Sequence, residues 1–134
     1  DLTRSRGLGD VYKRQIEGMA KLVDGGWKAI MQHNHDLAIQ GRDILCKRLG
    51  IEQPCPNEMI ACISTIRLPG EIPAKEKMHE PDPLHHILSE KYNIQVPVWS
   101  WPSPEGRYLR ISAQLYNSVE QYELLADALV NELK

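Results

Sequence analysis

The sequence has no long apolar run and only a small excess of charge. No stretch approaches the roughly 20 apolar residues needed to span a bilayer, and the N-terminus lacks the apolar segment of a signal peptide. The net charge is -2, so the chain has no basic field of the kind that dominates nucleic-acid binding. We therefore expect a cytoplasmic protein that binds neither a membrane nor nucleic acid.

Cysteine is scarce, and the chain lacks the common metal-binding spacings. Cys46, Cys55 and Cys62 are an odd count in a chain without signs of secretion, so we expect buried thiols rather than a disulfide framework. No second cysteine pair stands at zinc-site spacing. We therefore predict no structural zinc.

The paired histidines do not form a chelating arrangement either. His33-Asn34-His35 has the letters of a nuclease motif, but residues two apart on a helix point about 200° from each other. The adjacent residues His85 and His86 also point in different directions on a helix, so they cannot chelate one ion either. The nucleophile elbow, the phosphate-binding loop and the HExxH motif are all absent from the sequence. We predict no metal site and no catalytic machinery complete within this chain.

Residues 1–15, DLTRSRGLGDVYKRQ, share neither composition nor periodicity with the sequence that follows. This stretch resembles translated sequencing-adaptor DNA, so we interpret it as a non-native tail and exclude it from the fold. Residues 51–134 are predicted to form a small α+β domain.

The first segment after the tail is predicted to be helical. Residues 16–23 form a short helix that ends at Gly25-Gly26, and a longer helix follows over 27–49 and ends at Gly50. Apolar residues recur there at helical spacing, at Trp27, Ile30, Met31, Leu37, Ala38, Ile44, Leu45 and Leu49. At about 34 Å the long helix exceeds the width of a small domain. We expect it to lean on something outside this chain.

The remaining sequence alternates between strands and helices. Apolar residues on both faces predict an interior strand over 59–68, and Pro97 restricts the strand 94–101 to an edge or to partial pairing. Asp82-Pro83 begins a helix over 83–92, and Ser118 with Gln121 forms the capping box of a closing helix. The predicted fold is therefore α+β, with a sheet of about three strands and helices on one face.

Two features of the last strand and the loop before it have open interpretations. Alternation over RYLRISAQLYNS places Arg110 with Tyr108 and Ser112, away from the apolar face. An exposed charge is the ordinary interpretation of that pattern, but a guanidinium in this setting can also bind a carboxylate through two parallel bonds. For Trp99 and Trp101 the ordinary interpretation is that one packs while the other caps the hairpin, with a ligand-facing role as the alternative.

The stretch LRISAQLYNSVEQYELLADAL, residues 109–129, resembles the C-terminal signature of class V aminotransferase-type pyridoxal-phosphate enzymes. It joins an arginine strand to a Tyr-Asn-Ser turn and an acidic closing helix. GGWKAIMQHNHDLAIQGRDILCKRLG, residues 25–50, is similar to the interdomain helix of the isopenicillin N epimerase-like branch. IQVPVWSWPSPEGRYLRISAQLYN, residues 94–117, fits that branch too. The resemblance covers about residues 16–134. It implies that residues 16–50 are the end of the large domain and the long linking helix, and that residues 51–134 are the C-terminal small α+β domain of a fold-type-I enzyme.

The resemblance implies a role for Arg110 as the ligand of the substrate's α-carboxylate. Fixing that group orients the bonds at Cα against the cofactor, which acts as an electron sink. Trp99 and Trp101 are candidates for the mouth of the active site. The resemblance places pyridoxal phosphate, its Schiff-base lysine and its other ligands in a large domain outside this chain, so we assign no cofactor-binding residue here and expect the isolated chain to be inactive.

Further expectations concern the whole enzyme. By resemblance it is a cytoplasmic homodimer acting on an amino acid. Cysteine desulfurases of the class carry a cysteine on the loop before the arginine strand, but residues 94–107 contain none, which disfavours that activity. The alternative to the whole enzyme hypothesis is a stand-alone α+β ligand-binding or interaction module without catalysis.

Overall fold

The computed structural model describes residues 15, 17–18, 20–21, 23–70, 82–102 and 105–133. The chain divides into two compact units, Asp1–His33 and Asn34–Lys134. The domain limits predicted from the sequence, at 15/16 and 50/51, stay predictions. The segment 1–15 lies outside the described residues apart from Gln15.

The first unit contains the predicted helix break. Glu17, Gly18 and Ala20 are helical, whereas Ile16, Met19 and Leu22 lie outside the described residues. Gly25 has φ +94° and Gly26 has φ +61°, a region of backbone space that residues with a Cβ rarely adopt. The sequence Gly25-Gly26 therefore allows the chain to turn into the next helix.

The long helix α1 spans Gly26–Leu49, and Gly50 ends it in a left-handed conformation, as predicted. Its residues in the core cluster include Leu37, Ala38 and Leu45, and Ile30 near its start is buried as well. Trp27 is 39% exposed and Met31 67% exposed, so the stripe predicted from periodicity is not buried along its whole length. Periodicity identifies a face of a helix but not how much of that face is covered.

A buried arginine connects α1 to the turn that follows it. The guanidinium of Arg42 is fully buried and donates to the Cys55 carbonyl at 3.1 Å and to the Asn57 side chain. It also binds the carboxylate of Asp43 at 2.7 Å. A 3₁₀ helix spans Asn57–Met59 in this region. The hydrogen bonds and the ion pair compensate for burying the charge.

Three strands form an antiparallel sheet within the described residues: β1 Ile63–Leu68, β2 Val98–Pro102 and β3 Glu105–Ser112. The order is β1-β3-β2, with Thr65 opposite Arg110 and Trp99 opposite Tyr108. The strand with Arg110 is therefore central, and β2 lies at an edge, as predicted. The predicted strand 94–101 was too long at its start, because β2 begins at Val98 and Pro97 precedes it.

The prediction of an interior strand over 59–68 was wrong. Strand β1 begins only at Ile63 and lies at the other edge of the sheet, while Met59 belongs to the 3₁₀ helix and is 75% exposed. Burial alternates along β1, because only its Ser64, Ile66 and Leu68 face the core. A continuous apolar run does not distinguish a central strand from an edge strand.

Two further helices match their sequence signals. Helix α2 spans Pro83–Tyr92, begins at Asp82, whose side chain accepts from the Leu84 amide at 2.9 Å, and ends at Asn93 with φ 56°. Helix α3 spans Val119–Glu132 and starts with the predicted capping box of Ser118 and Gln121. The core cluster joins apolar residues of all three helices to the buried face of the sheet. The predicted α+β fold, with helices on one face of a three-stranded sheet, is confirmed.

Candidate functional site

Arg110 lies on the face of the sheet opposite the helices, which we call the open face, on the central strand β3. Its neighbours Leu109 and Ile111 are buried at 0% and 2% exposure, whereas Arg110 is exposed, which confirms the predicted alternation. Its backbone N–H donates to the Pro97 carbonyl at 3.2 Å, so the strand's position is tied to the segment before β2. The strand therefore presents the Arg110 side chain on the side of the sheet opposite the helices.

The side chain of Arg110 has no partner within the described part of the chain, and this distinguishes it from the other arginines there. Arg42 is bound to Asp43, Arg48 to Asp127 at 3.0 Å, and Arg107 to Asp82. Arg67 also makes an interaction of its own. A guanidinium without an internal counter-charge is available to bind an anion from outside.

A cleft of about 630 Å³ lies beside Arg110. Its size falls in the range of small-molecule sites, roughly 300–1,000 Å³. The described residues that line it are Tyr92, Asn93, Ile94, Gln95, Val96, Pro97, Arg110, Ile111, Ser112, Tyr116, Asn117, Gln121, Tyr122, Leu124 and Leu125. Arg110 is the one formally charged side chain in this set, so the described lining favours an anionic ligand.

One wall of the cleft is the segment 92–97, which runs from the end of α2 to β2. Asn93 adopts the left-handed conformation that ends α2, and the Ile94 amide donates to the Leu88 carbonyl at 2.9 Å. The His85 ring lies with Nδ1 2.8 Å from the Val96 carbonyl, the distance of a hydrogen bond to that oxygen. This wall is therefore held to α2 at two points.

The opposite wall consists of the turn after β3 and the start of α3. The Tyr122 hydroxyl donates to the Ser112 carbonyl at 2.8 Å, which ties α3 to the end of the arginine strand. Burial raises the pKa of Tyr122, and the nearby Tyr116 raises it further. Tyr116 is 82% exposed and Leu124 64% exposed, so this wall also presents apolar surface at the rim.

The two tryptophans proposed from the sequence lie on the open face but not among the residues that line the cleft. Trp99 is opposite Tyr108, and their rings stack with centroids 6.3 Å apart and planes at 28°. Trp101 is 55% exposed. The stack agrees with a packing role for Trp99, and the predicted place of both residues at an active-site mouth stays a prediction.

The thiols and histidines make local contacts. All three cysteines are free, but only Cys46 is buried, while Cys55 and Cys62 are half-buried, so the prediction of buried thiols holds for one of them. Burial raises the pKa of the Cys46 thiol. His35 Nδ1 lies 2.8 Å from the Ile60 carbonyl, so its ring is engaged with the backbone. Within the described ranges, no group of three or more potential metal ligands is present.

Several residues of the cleft were missed by reasoning from sequence. The walls at 92–97 and 116–125 come together only in the folded chain. The signal that was available is the series of amide side chains Gln114, Asn117 and Gln121, whose spacing of three and four residues follows the turn into α3. Only Arg110, of the three predicted site residues, lines the cleft.

Comparison with known proteins identifies relatives. No protein-family model matches the chain. A probable chloroplastic L-cysteine desulfhydrase of Arabidopsis thaliana is 31% identical over 112 aligned residues, covering 79% of this chain and 23% of that protein. An L-cysteine desulfhydrase of the same plant is 30% identical, covering 83% of this chain and 27% of that protein. Over these aligned stretches the chain is similar to plant L-cysteine desulfhydrases.

A third relative gives the same result. A putative L-cysteine desulfhydrase of Oryza sativa subsp. japonica is 27% identical over 123 aligned residues, covering 79% of this chain and 26% of that protein. The chain thus spans about a quarter of the length of the curated relatives it matches. These relatives support the predicted class V aminotransferase-like pyridoxal-phosphate family and confirm the expected cofactor of the whole enzyme. The epimerase-like branch stays a prediction.

The described cleft does not by itself fit pyridoxal phosphate. None of its described lining residues is a lysine, so it offers no amine for a Schiff base, and Arg110 is its one cation. No helix in the described ranges combines the length and apolar character needed to cross a membrane. The chemistry that this part of the chain supports is therefore the binding of an anionic group.

Proposed function

We propose that this chain is the C-terminal part of a pyridoxal-phosphate enzyme and that Arg110 binds the α-carboxylate of its amino-acid substrate. The observation that carries the proposal is a guanidinium without a partner among the described residues, beside a cleft whose described lining has no other charge. The guanidinium fork binds a carboxylate through two parallel charge-assisted hydrogen bonds, which fixes both position and orientation.

The protein's part in this proposal is to position the substrate. Strand β3, which carries Arg110, is hydrogen-bonded to β1 on one side and to β2 on the other, so the backbone that carries the guanidinium is fixed. A carboxylate held by two bonds leaves the rest of the amino acid with little rotational freedom. The cleft beside Arg110 has room for the atoms beyond the carboxylate.

L-cysteine is the proposed substrate, because the three relatives are named as L-cysteine desulfhydrases. The proposed reaction releases the sulfur of cysteine as sulfide. Residues 94–107 contain no cysteine, which argues against a route in which a thiol on this loop takes up the sulfur.

An epimerase-like activity is the second candidate. It is favoured by the likeness of residues 94–117 to the isopenicillin N epimerase-like branch. We propose for either activity a cytoplasmic homodimer, with the lysine and the phosphate ligands of the cofactor outside this chain. A start codon immediately before residue 16 in the natural gene would instead favour a stand-alone binding module.

The test is Arg110→Lys in the protein encoded by the complete reading frame. Lysine keeps the charge but loses the fork, so we expect kcat/KM for L-cysteine to fall about 10- to 100-fold, with the change mainly in KM. The absorbance of bound cofactor should stay unchanged. Arg48→Lys is the matched control, because Arg48 is half exposed and bound to Asp127. Unchanged kinetics in Arg110→Lys would remove Arg110 from the site.

The isolated chain provides a separate test. Mixed with pyridoxal phosphate, the 134-residue chain should form no stable aldimine absorbance, because no lysine is among the described residues lining its cleft. A saturable aldimine band would contradict the proposal that the cofactor site lies elsewhere.

A further inference from the structure

Four residues with amide side chains form a hydrogen-bonded series that starts on α1 and ends at the cleft, in which the step from Gln114 to Asn117 runs through the Gln114 backbone. Asn34 Nδ2 donates to Gln114 Oε1 at 2.9 Å. Asn117 Oδ1 accepts from the backbone N–H of Gln114 at 3.0 Å, and Asn117 Nδ2 donates to Gln121 Oε1 at 2.9 Å. We call Asn34, Gln114, Asn117 and Gln121 the amide relay.

Two oxygens of the amide relay each accept a second bond from the backbone. Gln114 Oε1 also accepts from the Leu115 amide at 2.9 Å, and Gln121 Oε1 accepts from the Ser118 amide at 3.3 Å. Because both lone pairs of each oxygen are engaged, the side chains are held in one orientation. The turn after β3 and the first turn of α3 are therefore fixed to each other.

The relay reaches the residues that shape the proposed site. Asn117 and Gln121 line the cleft, and Arg110 lines it from the strand that leads into the same turn. The Tyr122 hydroxyl binds the Ser112 carbonyl at the end of that strand. A shift of the turn would therefore change the separation between the amide wall and the guanidinium.

Asn34 is an unusual residue for its position. It is 6% exposed, and its Oδ1 is buried without a partner in the described structure. A buried amide oxygen without a hydrogen bond costs stability, so an apolar residue of similar size would suit the core as well or better. Stability alone does not account for an asparagine at this position, whereas its bond to Gln114 gives it a specific positional effect.

We propose that Asn34 is a positioning residue for the Arg110 cleft, acting through Gln114 and Asn117. This proposal rests on the proposed role of Arg110 in binding a carboxylate. Asn34 does not line the cleft, so its effect on ligand binding is transmitted by the relay. Removing its amide should loosen the wall formed by Asn117 and Gln121 and weaken ligand binding without removing any group that touches the ligand.

The test uses the 134-residue chain with Asn34→Leu and, as a second variant, Gln114→Met. Both remove the hydrogen bond between α1 and the turn. Asn34→Leu keeps the number and branching of the side-chain heavy atoms, and Gln114→Met gives an unbranched side chain of similar length. NMR should show altered signals for the side-chain amides of Asn117 and Gln121. Titration with S-methyl-L-cysteine, which carries an α-carboxylate but no thiol, should show an affinity about three- to tenfold weaker than that of the unsubstituted chain.

Leu45→Val is the control, because Leu45 lies in the core on the same helix and is outside the amide relay. It should lower the midpoint of thermal unfolding and leave the affinity unchanged. If Asn34→Leu and Leu45→Val have the same effect on affinity, Asn34 has only a structural role.

The failure of this proposal can be told apart from the failure of the proposed function. Unmoved Asn117 and Gln121 amide signals in Asn34→Leu and Gln114→Met would overturn the relay whatever the ligand does. Binding of S-methyl-L-cysteine that is unaffected by Arg110→Gln would instead overturn the proposed function. Relay variants that bind like the unsubstituted chain, while Arg110→Gln does not bind, would overturn only the positioning role of Asn34.

Discussion

Arg107 and Arg110 lie on the same strand, yet only the first is neutralised by a carboxylate of the described chain. Arg107 faces the core side and binds the fully buried Asp82, with Nε 2.8 Å from Oδ2. Arg110 projects from the open face and has no partner among the residues that the structure describes. Their spacing of three residues in an extended strand places them on opposite faces. One arginine thus contributes to the fold and the other remains available for a ligand.

The Asp82 carboxylate is expected to be the most sensitive single group for stability. It accepts from the Leu84 amide at the start of α2 and also binds Arg107. In Asp82→Ala the helix loses its cap and the mostly buried guanidinium loses its counter-charge. We expect the free energy of unfolding to fall by about 3–5 kcal/mol, measured by urea denaturation.

The exposed pair of Arg48 and Asp127 is the control for that experiment. Both side chains are about half exposed, at 52% and 54%, so Asp127→Ala should change the free energy of unfolding by only about 0–1 kcal/mol. Equal losses in the two variants would show that the burial of Asp82 does not matter.

The Tyr122 hydroxyl gives a pH-dependent prediction. Tyr122→Phe removes the bond to the Ser112 carbonyl and should cost about 0.5–1.5 kcal/mol near neutral pH. Burial raises the pKa of Tyr122, so the folded state keeps this proton at a pH where the unfolded chain loses it. The resulting contribution to stability is present below about pH 10, the unfolded pKa, and is lost as the pH rises through the folded pKa.

The difference in unfolding free energy between the unsubstituted chain and Tyr122→Phe should therefore shrink above about pH 10. Denaturation in urea at neutral and at alkaline pH measures it. A difference that stays constant over this range would contradict the assigned direction of the Tyr122 pKa.

Gly41 on α1 allows the Tyr122 ring to approach the helix closely. A Cβ at this position would lie 2.9 Å from Tyr122 Cγ, too close for an unshifted ring. Gly41→Ala gains up to about 1 kcal/mol in helix propensity but incurs about 1–3 kcal/mol of overpacking, so we expect a net loss of stability. Thermal unfolding checks this, and the exposed position Gln40→Ala is the control. A higher melting temperature for Gly41→Ala would contradict the predicted clash.

The three thiols should differ in reactivity. Burial raises the pKa of Cys46, so less of it is thiolate at neutral pH, and little of its surface is accessible. We expect iodoacetamide to modify Cys55 and Cys62 before Cys46, as followed by mass spectrometry of the intact and digested chain. In urea the three rates should converge. Faster modification of Cys46 in the folded chain would contradict its burial.

Local signals in the sequence predicted most of the fold. Asp82-Pro83 and the Ser118 capping box marked the starts of two helices, because caps and first-turn residues act over a few positions. The order of the strands had no such signal. The apolar run over 59–68 predicted an interior strand, but β1 lies at an edge, and both Met59, before it, and Ile63, at its start, are exposed.

The sequence predicted the candidate site only in part, because the site also depends on contacts between residues far apart in the chain. Alternation placed Arg110 on the open face, but its lack of a partner depends on where Asp82, Asp43 and Asp127 lie in the folded chain. The cleft and the bond between Asn34 and Gln114, 80 residues apart, are products of tertiary packing.

The measurement that tests the central claim most directly is an NMR titration of the 134-residue chain with S-methyl-L-cysteine, followed at the Nε–H signal of Arg110. We predict saturable shifts with a Kd of about 1–10 mM, as expected for one arginine holding a carboxylate without the rest of the site. Arg110→Gln should abolish the shifts of the cleft residues, and Arg48→Gln should leave them unchanged. An unmoved Arg110 signal, or equal binding by Arg110→Gln, would contradict the account.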